Sequence, residues 1–187
     1  MTLPLIIDLV QRDESGGIRT QENRWDEEYI ISVINTCRGE LAHLVFNGSR
    51  TLAANTRLNN SWYQKLWFDM NEGFQDDDCV IKFQCPPFIS LNKTNDGIRY
   101  IGSQKGNREY DRVKTRSDLS QILKHQVMKL VMYKNIGVLY DAPMETLEVY
   151  TNLILESLMI EGLVQNPLSI PSYNIDEDEY PVPDDYI

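Results

Sequence analysis

Two histidines, three cysteines and a set of clustered acids are the residues whose chemistry could make a site. His43 and His125 both fall in stretches of helical period, where a lone histidine is ordinarily a packing or surface residue. No serine stands in a Gly-x-Ser-x-Gly turn, so a hydrolase triad has no support. A phosphate cradle needs a glycine-rich loop that opens a helix, and neither Gly-x-x-x-x-Gly-Lys nor Gly-x-Gly-x-x-Gly occurs. Gly102-Ser-Gln-Lys-Gly106 comes nearest, but it lies between two predicted strands and reads as a hairpin turn. Cys79 and Cys85 leave five residues between them, as do Cys37 and His43, whereas zinc pairs usually leave about two to four. Asp176, Asp178 and Tyr180 begin like a calcium loop, yet Pro181 and Ile187 replace its glycine and closing glutamate. Paired carboxylates for glycoside cleavage occur in almost any acidic chain and discriminate nothing. The sequence therefore assigns no catalytic residue, no cofactor and no metal ligand, and the expectation is a protein that is not an enzyme.

Residues suited to binding are easier to name. Trp62, Tyr63, Trp67 and Phe68 form an aromatic cluster of the kind enriched in interface cores, or else the core of a helical hairpin. Arg99, Lys105, Arg108, Arg112, Lys114 and Arg116 interleave with Tyr100 and Tyr110. That set suits phosphate, a partner's charge or a solvated sheet face. Tyr173, Tyr180 and Tyr186 punctuate an acidic tail in which six of the last fourteen residues are Asp or Glu. Of these, Trp62, Tyr63, Trp67, Phe68, Arg99, Arg108, Arg112, Tyr173, Tyr180 and Tyr186 are the candidate interface residues.

The charge is divided along the chain. Its 187 residues carry a net charge of -10. Residues 1–91 contribute -5, residues 92–134 contribute +6, and residues 135–187 contribute -11 with no Lys or Arg after Lys134. The basic middle can pair with the acidic end of its own chain. Alternatively, it meets the acidic face of a neighbouring copy, and such a heterologous contact closes into a ring or grows into a filament. A whole-chain basic footprint for nucleic acid is absent. No run of about 18 apolar residues suits a bilayer crossing, so no membrane partner is expected. The N-terminal MTLPLIIDLV has no basic flank and is interrupted by Asp8, so it does not read as a signal peptide. With three cysteines and no leader, free thiols in a reducing compartment are expected.

The elements that would position these residues follow from periodicity. Leu5, Ile7 and Leu9 alternate with Ile6, Asp8 and Val10, which predicts an N-terminal strand or arm. Residues 21–46 predict a long helix, capped by Thr20, with Trp25, Tyr29, Val33, Cys37 and Leu41 on one stripe and Asn47-Gly48 as its stop. Residues 48–78 hold either a short helix over 61–71, with Ser61 as cap and Gly73 as terminator, or a long protruding loop. Residues 79–115 predict three or four short antiparallel strands joined by hairpins, with turns at Asn92–Gly97 and Gln104–Asn107. Residues 117–134 predict a helix capped by Ser117, its apolar face formed by Leu119, Ile122, Leu123, Val127, Leu130 and Val131. Ile136–Tyr140 reads as a short strand. Asp141 and Pro143 open another predicted helix over 142–160, with Met144, Leu147, Ile154, Leu155 and Leu158 inward. From 166 the prolines at 167, 171, 181 and 183 forbid a regular element, leaving an extended arm that docks through its tyrosines or a frayed end. The expected fold class is α+β: one domain over 1–165, a small helical bundle with an antiparallel β insertion, followed by an acidic arm over 166–187.

Cys79-Val-Ile-Lys-Phe-Gln-Cys-Pro-Pro, Asp96-Gly-Ile-Arg-Tyr-Ile-Gly-Ser, Tyr110-Asp-Arg-Val and Tyr173-Asn-Ile-Asp-Glu-Asp-Glu-Tyr-Pro-Val-Pro carry a resemblance. With the helices around them, from about residue 18 onward, they resemble the small virion proteins of crAss-like bacteriophages that build rings in the neck and tail. The alternation of helices with a β or loop insertion is also similar to the head-to-tail connectors of tailed phages generally, a likeness at the level of fold. The resemblance implies a non-enzymatic structural protein of the virion, assembled in the host cytoplasm as a cyclic homo-oligomer. It implies portal, ring or tail proteins as neighbours. An acidic lumen would let DNA pass close by without sticking. The alternative expectation is a phage accessory protein that binds one protein partner through its C-terminal arm.

Overall fold

Short segments buried on both faces organise most of the chain. A computed structural model describes residues 1–14, 26–48, 58–77, 79–92 and 95–182. The class is α+β, with four α-helices and eight strands among the described residues. The chain divides into two compact units. One comprises Met1–Gln64, Ile89–Asp96 and Val164–Ile187, and the other Lys65–Phe88 and Gly97–Leu163. The β portion is thus larger than the expected insertion, and the C-terminal segment joins the first unit.

The first unit is built on α1 (Leu3–Glu14) and α2 (Glu27–Gly48). The N-terminal residues form a helix and not the expected strand or arm. Leu3, Ile6 and Ile7 recur at helical spacing and are buried, and Asp8 pairs with Arg12 one turn on at 2.7 Å. The first turns expected for the long helix, with Trp25 and the cap Thr20, lie outside the described residues. The buried face of α2 is not the Tyr29, Val33 and Cys37 stripe, which is exposed. Ile30, Arg38 and Ala42 are buried instead, because the partner of α2 is α1 with Tyr180, Leu168 and Ile175. The tail is folded back as far as it is described. Asn166 caps a 3₁₀ turn at Pro167–Ser169 by accepting from Leu168 N at 3.1 Å, and Tyr180 N donates to Met1 O at 2.9 Å.

The second unit holds both sheets. Its strands are β1 (Gln64–Asp69, whose first residue is the last of the other unit), β2 (Phe74–Asp77), β3 (Val80–Gln84), β4 (Ile98–Gly102), β5 (Asp111–Val113), β6 (Gly137–Asp141), β7 (Thr146–Tyr150) and β8 (Ser157–Gly162). They form a five-stranded sheet in the order β2-β3-β7-β6-β5 and a three-stranded sheet in the order β1-β8-β4. The strands expected within 79–115 are present but are not one hairpin series. β3 and β4 belong to different sheets, and β5 pairs parallel to β6. The helix expected over 142–160 is absent. A 3₁₀ turn at Ala142–Met144, β7 and β8 replace it. Both strands are interior to their sheets and buried on both faces, so their apolar residues do not alternate and their spacing imitates a helix. Over the described residues 58–77 neither the short helix over 61–71 nor a continuous loop is found, and the part of that expectation on 49–57 lies outside the described residues. Asn59 caps a 3₁₀ turn at Asn60–Trp62, and β1 follows it.

The helix expected over 117–134 is two helices, α3 (Arg116–Lys124) and α4 (Gln126–Asn135). His125 leaves the helical region between them and caps α4, its Nδ1 accepting from Met128 N at 3.4 Å. Thr115, two residues before the expected Ser117, caps α3 by accepting from Asp118 N at 3.0 Å. Leu119, Met132 and Tyr133 pack on Val80, Val113, Leu139 and Tyr150 across one face of the five-stranded sheet. On its other face the Phe83 ring lies 5.3 Å from the Phe68 ring of β1.

The expected turn at Gln104–Asn107 is present. Ser103 N donates to Arg108 O at 2.8 Å, and Gly106 takes a φ of 68° that favours glycine. Gly102 sits under this turn, where an added Cβ would overlap the Arg108 carbonyl oxygen and the Tyr100 ring. Backbone cannot yield as a side chain tip does. Gly102→Ala is expected to destabilise the protein by about 1–3 kcal/mol, read as a lower urea midpoint at unchanged m-value.

Candidate functional site

Among the described residues two charged side chains are buried, one in each unit, and each gathers polar groups around it. In the second unit Glu148 is carried by β7 in register with Lys82 of β3, and its side chain is buried. Arg116, the first residue of α3, reaches it with two donors, Nη2 to Oε1 at 2.9 Å and Nη1 to Oε2 at 3.3 Å. Arg116 Nε also bonds Asp141 Oδ2 at 2.5 Å, at the end of β6. Tyr150 donates its hydroxyl to Glu148 Oε2 at 2.5 Å, and Lys82 Nζ stands 3.8 Å from Oε1. The hydrogen bonds to Glu148 and then to Asp141 hold the Arg116 guanidinium above its ordinary pKa. Burial, and then the bond to Glu148, push the Tyr150 phenol up.

A carboxylate, a phenol and a guanidinium are the parts of an acid–base site. Here both carboxylate oxygens are engaged by groups of the same unit. A general base needs a basic oxygen aimed at a substrate proton. The arrangement fastens α3 to the sheet. Among the described residues no group of three or more His, Cys, Asp or Glu is placed to hold a metal ion.

In the first unit the buried charge is Arg38 of α2. Its guanidinium donates to backbone carbonyls: Nη1 to Val164 O at 2.6 Å, Nε to Pro181 O at 3.0 Å and Nη2 to Trp62 O at 3.4 Å. Nη2 also reaches Gln64 Oε1 at 3.1 Å, and the Tyr180 ring lies 5.9 Å from the guanidinium carbon. Tyr180 in turn donates its hydroxyl to Asn35 Oδ1 at 2.6 Å. Burial lowers the Arg38 pKa to about 10, so the side chain stays charged at neutral pH.

The residues expected to form an interface are dispersed. Trp62 is 1% exposed, Tyr63 is half-buried, Phe68 is half-buried against Phe83, and Trp67 is exposed on the opposite face of β1 from Phe68. Arg99 of β4 pairs with Glu161 of β8, with Nη2–Oε1 at 2.6 Å and Nε–Oε2 at 3.1 Å. Arg108 donates to Lys134 O at 3.4 Å, and Arg112 of β5 donates to Ile98 O at 3.3 Å with its pKa lowered by burial. Arg99 stands on β4, Arg108 follows the Gln104–Asn107 turn and Arg112 stands on β5, and each is engaged by a different partner. Tyr180 is 2% exposed inside the first unit. The buried Tyr173 hydroxyl has no hydrogen-bond partner among the described residues, and Tyr186 lies outside them.

What the sequence missed is an apolar surface. Val127, Leu130 and Val131 of α4, expected inward, are exposed together with Met128. Met132 and Tyr133 take the sheet side. Six of the ten α4 residues are apolar, and a helix apolar on all sides cannot bury every side against one sheet. The loop 151–156 between β7 and β8 exposes Leu153 and all of Ile154. In comparisons with known proteins, no family model and no curated protein matches the chain.

Replacing Arg38 by Met keeps its length and removes its donors. The carbonyls of Val164 and Pro181 then lose their partner, at about 1–3 kcal/mol each. Arg38→Met is expected to cost roughly 2–4 kcal/mol in urea unfolding, with residues 164–182 becoming the first site of protease cleavage.

Burial also pushes the Cys85 thiol up from its ordinary 9.0 to about 12, and the Tyr140 phenol from 10.0 to about 12. The folded chain keeps these protons while the unfolded chain releases them. Their contribution is complete below pH 9 and falls as pH rises toward 12. Cys85→Ala should remove about 1.4 kcal/mol per pH unit from that fall, measured by urea unfolding between about pH 9 and 11.

Proposed function

We propose that this chain is a non-enzymatic structural protein of a tailed-phage virion, a ring subunit of the head-to-tail connector or tail. The observation that carries this reading is the outward face of α4, where Val127, Met128, Leu130 and Val131 meet solvent between Lys124, Lys129 and Lys134. Contiguous exposed apolar side chains with a charged rim mark a protein contact. The resemblance through Cys79–Pro87, Asp96–Ser103 and Tyr110–Val113 supports the same reading, while the split of charge is met in part inside one chain, where Arg99 pairs with Glu161 and Arg116 with Asp141 and Glu148.

The mechanism is geometric. Each copy offers a basic and an acidic surface, and repetition of one heterologous contact closes a cyclic homo-oligomer. Portal, ring or tail proteins of the virion are its neighbours. DNA passes an acidic lumen without adhering to it. The rival, an accessory protein that reaches one partner with its C-terminal arm, is less well supported, because Tyr180 and the carbonyl of Pro181 are engaged by Asn35 and Arg38 of the same chain.

Light scattering on the purified protein at low and high salt tests the proposal. The expected result is a mass several times 21.7 kDa that falls as salt rises, followed by cyclic symmetry in negative-stain images. A constant 21.7 kDa at every salt and protein concentration would overturn self-assembly into a ring.

A further inference from the structure

The geometry points to His125 as an acid-sensitive pin between α3 and α4, released when its imidazole takes up a proton. This inference concerns a single chain and stands apart from the ring reading.

The pin is a helix cap. The helical region breaks at His125, whose backbone is extended at φ -100° and ψ 106°. Its carbonyl accepts from Lys129 N at 2.9 Å, and its Nδ1 accepts from Met128 N at 3.4 Å. The side chain thus satisfies one of the N–H groups that the first turn of α4 leaves over. An imidazole nitrogen accepts only while it carries no proton. The neutral ring, with its proton on Nε2, is therefore the form that caps α4. Serine, threonine or asparagine would cap at any pH, so a histidine here makes the cap conditional.

The charges beside it in the chain oppose the proton. Lys124 precedes it on α3 and Lys129 follows it on α4. The one acid on the helix pair is Asp118, about two turns back in the first turn of α3. Among the described residues the His125 ring makes no ion pair. The N-terminus of α4 adds the positive end of the helix dipole. An imidazolium there loses its bond to Met128 N and meets like charge. The sign follows: the cap is complete above the range of about pH 8 to 5 in which histidine changes charge, and it is lost as pH falls through that range.

The two ends of α4 are held differently. At the C-terminal end Met132 and Tyr133 are buried against the sheet, and the fully buried Ile136 has a φ of 65°. A β-branched residue keeps that conformation only where its surroundings fix it, and Asp111 N donates to Ile136 O at 3.0 Å. Met132 also fills the space over Gly137 that a Cβ would need. At the other end every residue from Gln126 to Val131 is exposed. Loss of the cap therefore acts on these first turns and leaves the anchored end in place. Val127, Met128, Leu130 and Val131 lie on them, so acid unfixes the exposed apolar face while the sheet beneath stays intact.

Amide hydrogen exchange of the full chain at about pH 7.5 and about pH 5, corrected for intrinsic rates, tests this. The Met128 and Lys129 amides should lose about fivefold in protection at the lower pH, while those of Val138 and Leu139 in β6 should not change. His125→Asn offers an acceptor at both pH values and should abolish the difference. His125→Ala offers none and should show the low protection at both. His125 is exposed, so both variants should keep the wild-type circular dichroism. Equal protection at the two pH values in the unsubstituted chain, the same fall in the His125→Asn chain, or unreduced protection in His125→Ala at the higher pH would overturn the assignment. So would a fall that extends to Val138 and Leu139, since that is general acid unfolding.

Discussion

A strand covered on both faces needs a neighbour on each edge and a layer of side chains above and below. β7 and β8 place that demand on the second unit. They are consecutive in sequence yet central in different sheets, β7 between β3 and β6, and β8 between β1 and β4. Strands from 64–69 to 157–162 must therefore come together before either is satisfied. The helix pair is needed to cover the outer face of the larger sheet. Glu148 tightens the constraint, because it lies within β7 and is 2% exposed. A carboxylate there is tolerable only if a cation reaches it. Arg116 does so from the first turn of α3, and the start of that helix is fixed over the sheet as a result.

The first unit accommodates its buried charge differently. Arg38 is surrounded by neutral carbonyl oxygens, an amide oxygen and an aromatic ring. Five N–H donors in a planar fork can serve several carbonyls at once, which an ammonium does less well. Those carbonyls belong to three separated parts of the chain: Trp62, Val164 and Pro181. One side chain thus joins a helix, a 3₁₀ turn and the C-terminal segment. The desolvation that lowers its pKa is offset by the bonds it makes, and loss of the side chain would leave the oxygens facing each other.

Local chemistry was legible in the sequence wherever it sufficed to set the backbone. The α+β class, the extent of α2 as far as it is described, the Gln104–Asn107 turn and the short strand near Ile136–Tyr140 all follow from residues close to one another. The failures have a shared cause. Leu147, Ile154 and Leu158 have helical spacing, but Leu147 and Leu158 belong to different sheets and Ile154 to the exposed loop between them, and period alone does not say so. The α4 stripe was visible, while its direction depended on which side the sheet occupies. Arg116 and Glu148 are 32 residues apart and Arg38 and Pro181 are 143 apart, so neither cluster leaves a local motif. Trp62 looked like an interface aromatic because composition does not separate a core tryptophan from an exposed one.

The first unit is discontinuous in the chain, formed from 1–64, 89–96 and 164 onward. During synthesis its two helices are made early, while the oxygens that receive Arg38 come from both near and far residues. Val164 and Pro181 are added only after the whole second unit has been made. The emerging helices thus carry an exposed apolar seam, Leu3, Ile6, Ile7 and Ile30, until Tyr180 arrives to close it. Translation order makes residues 164–182 the latch of helices made long before them, and ribosome-bound chains must be shielded or kept apart through that interval.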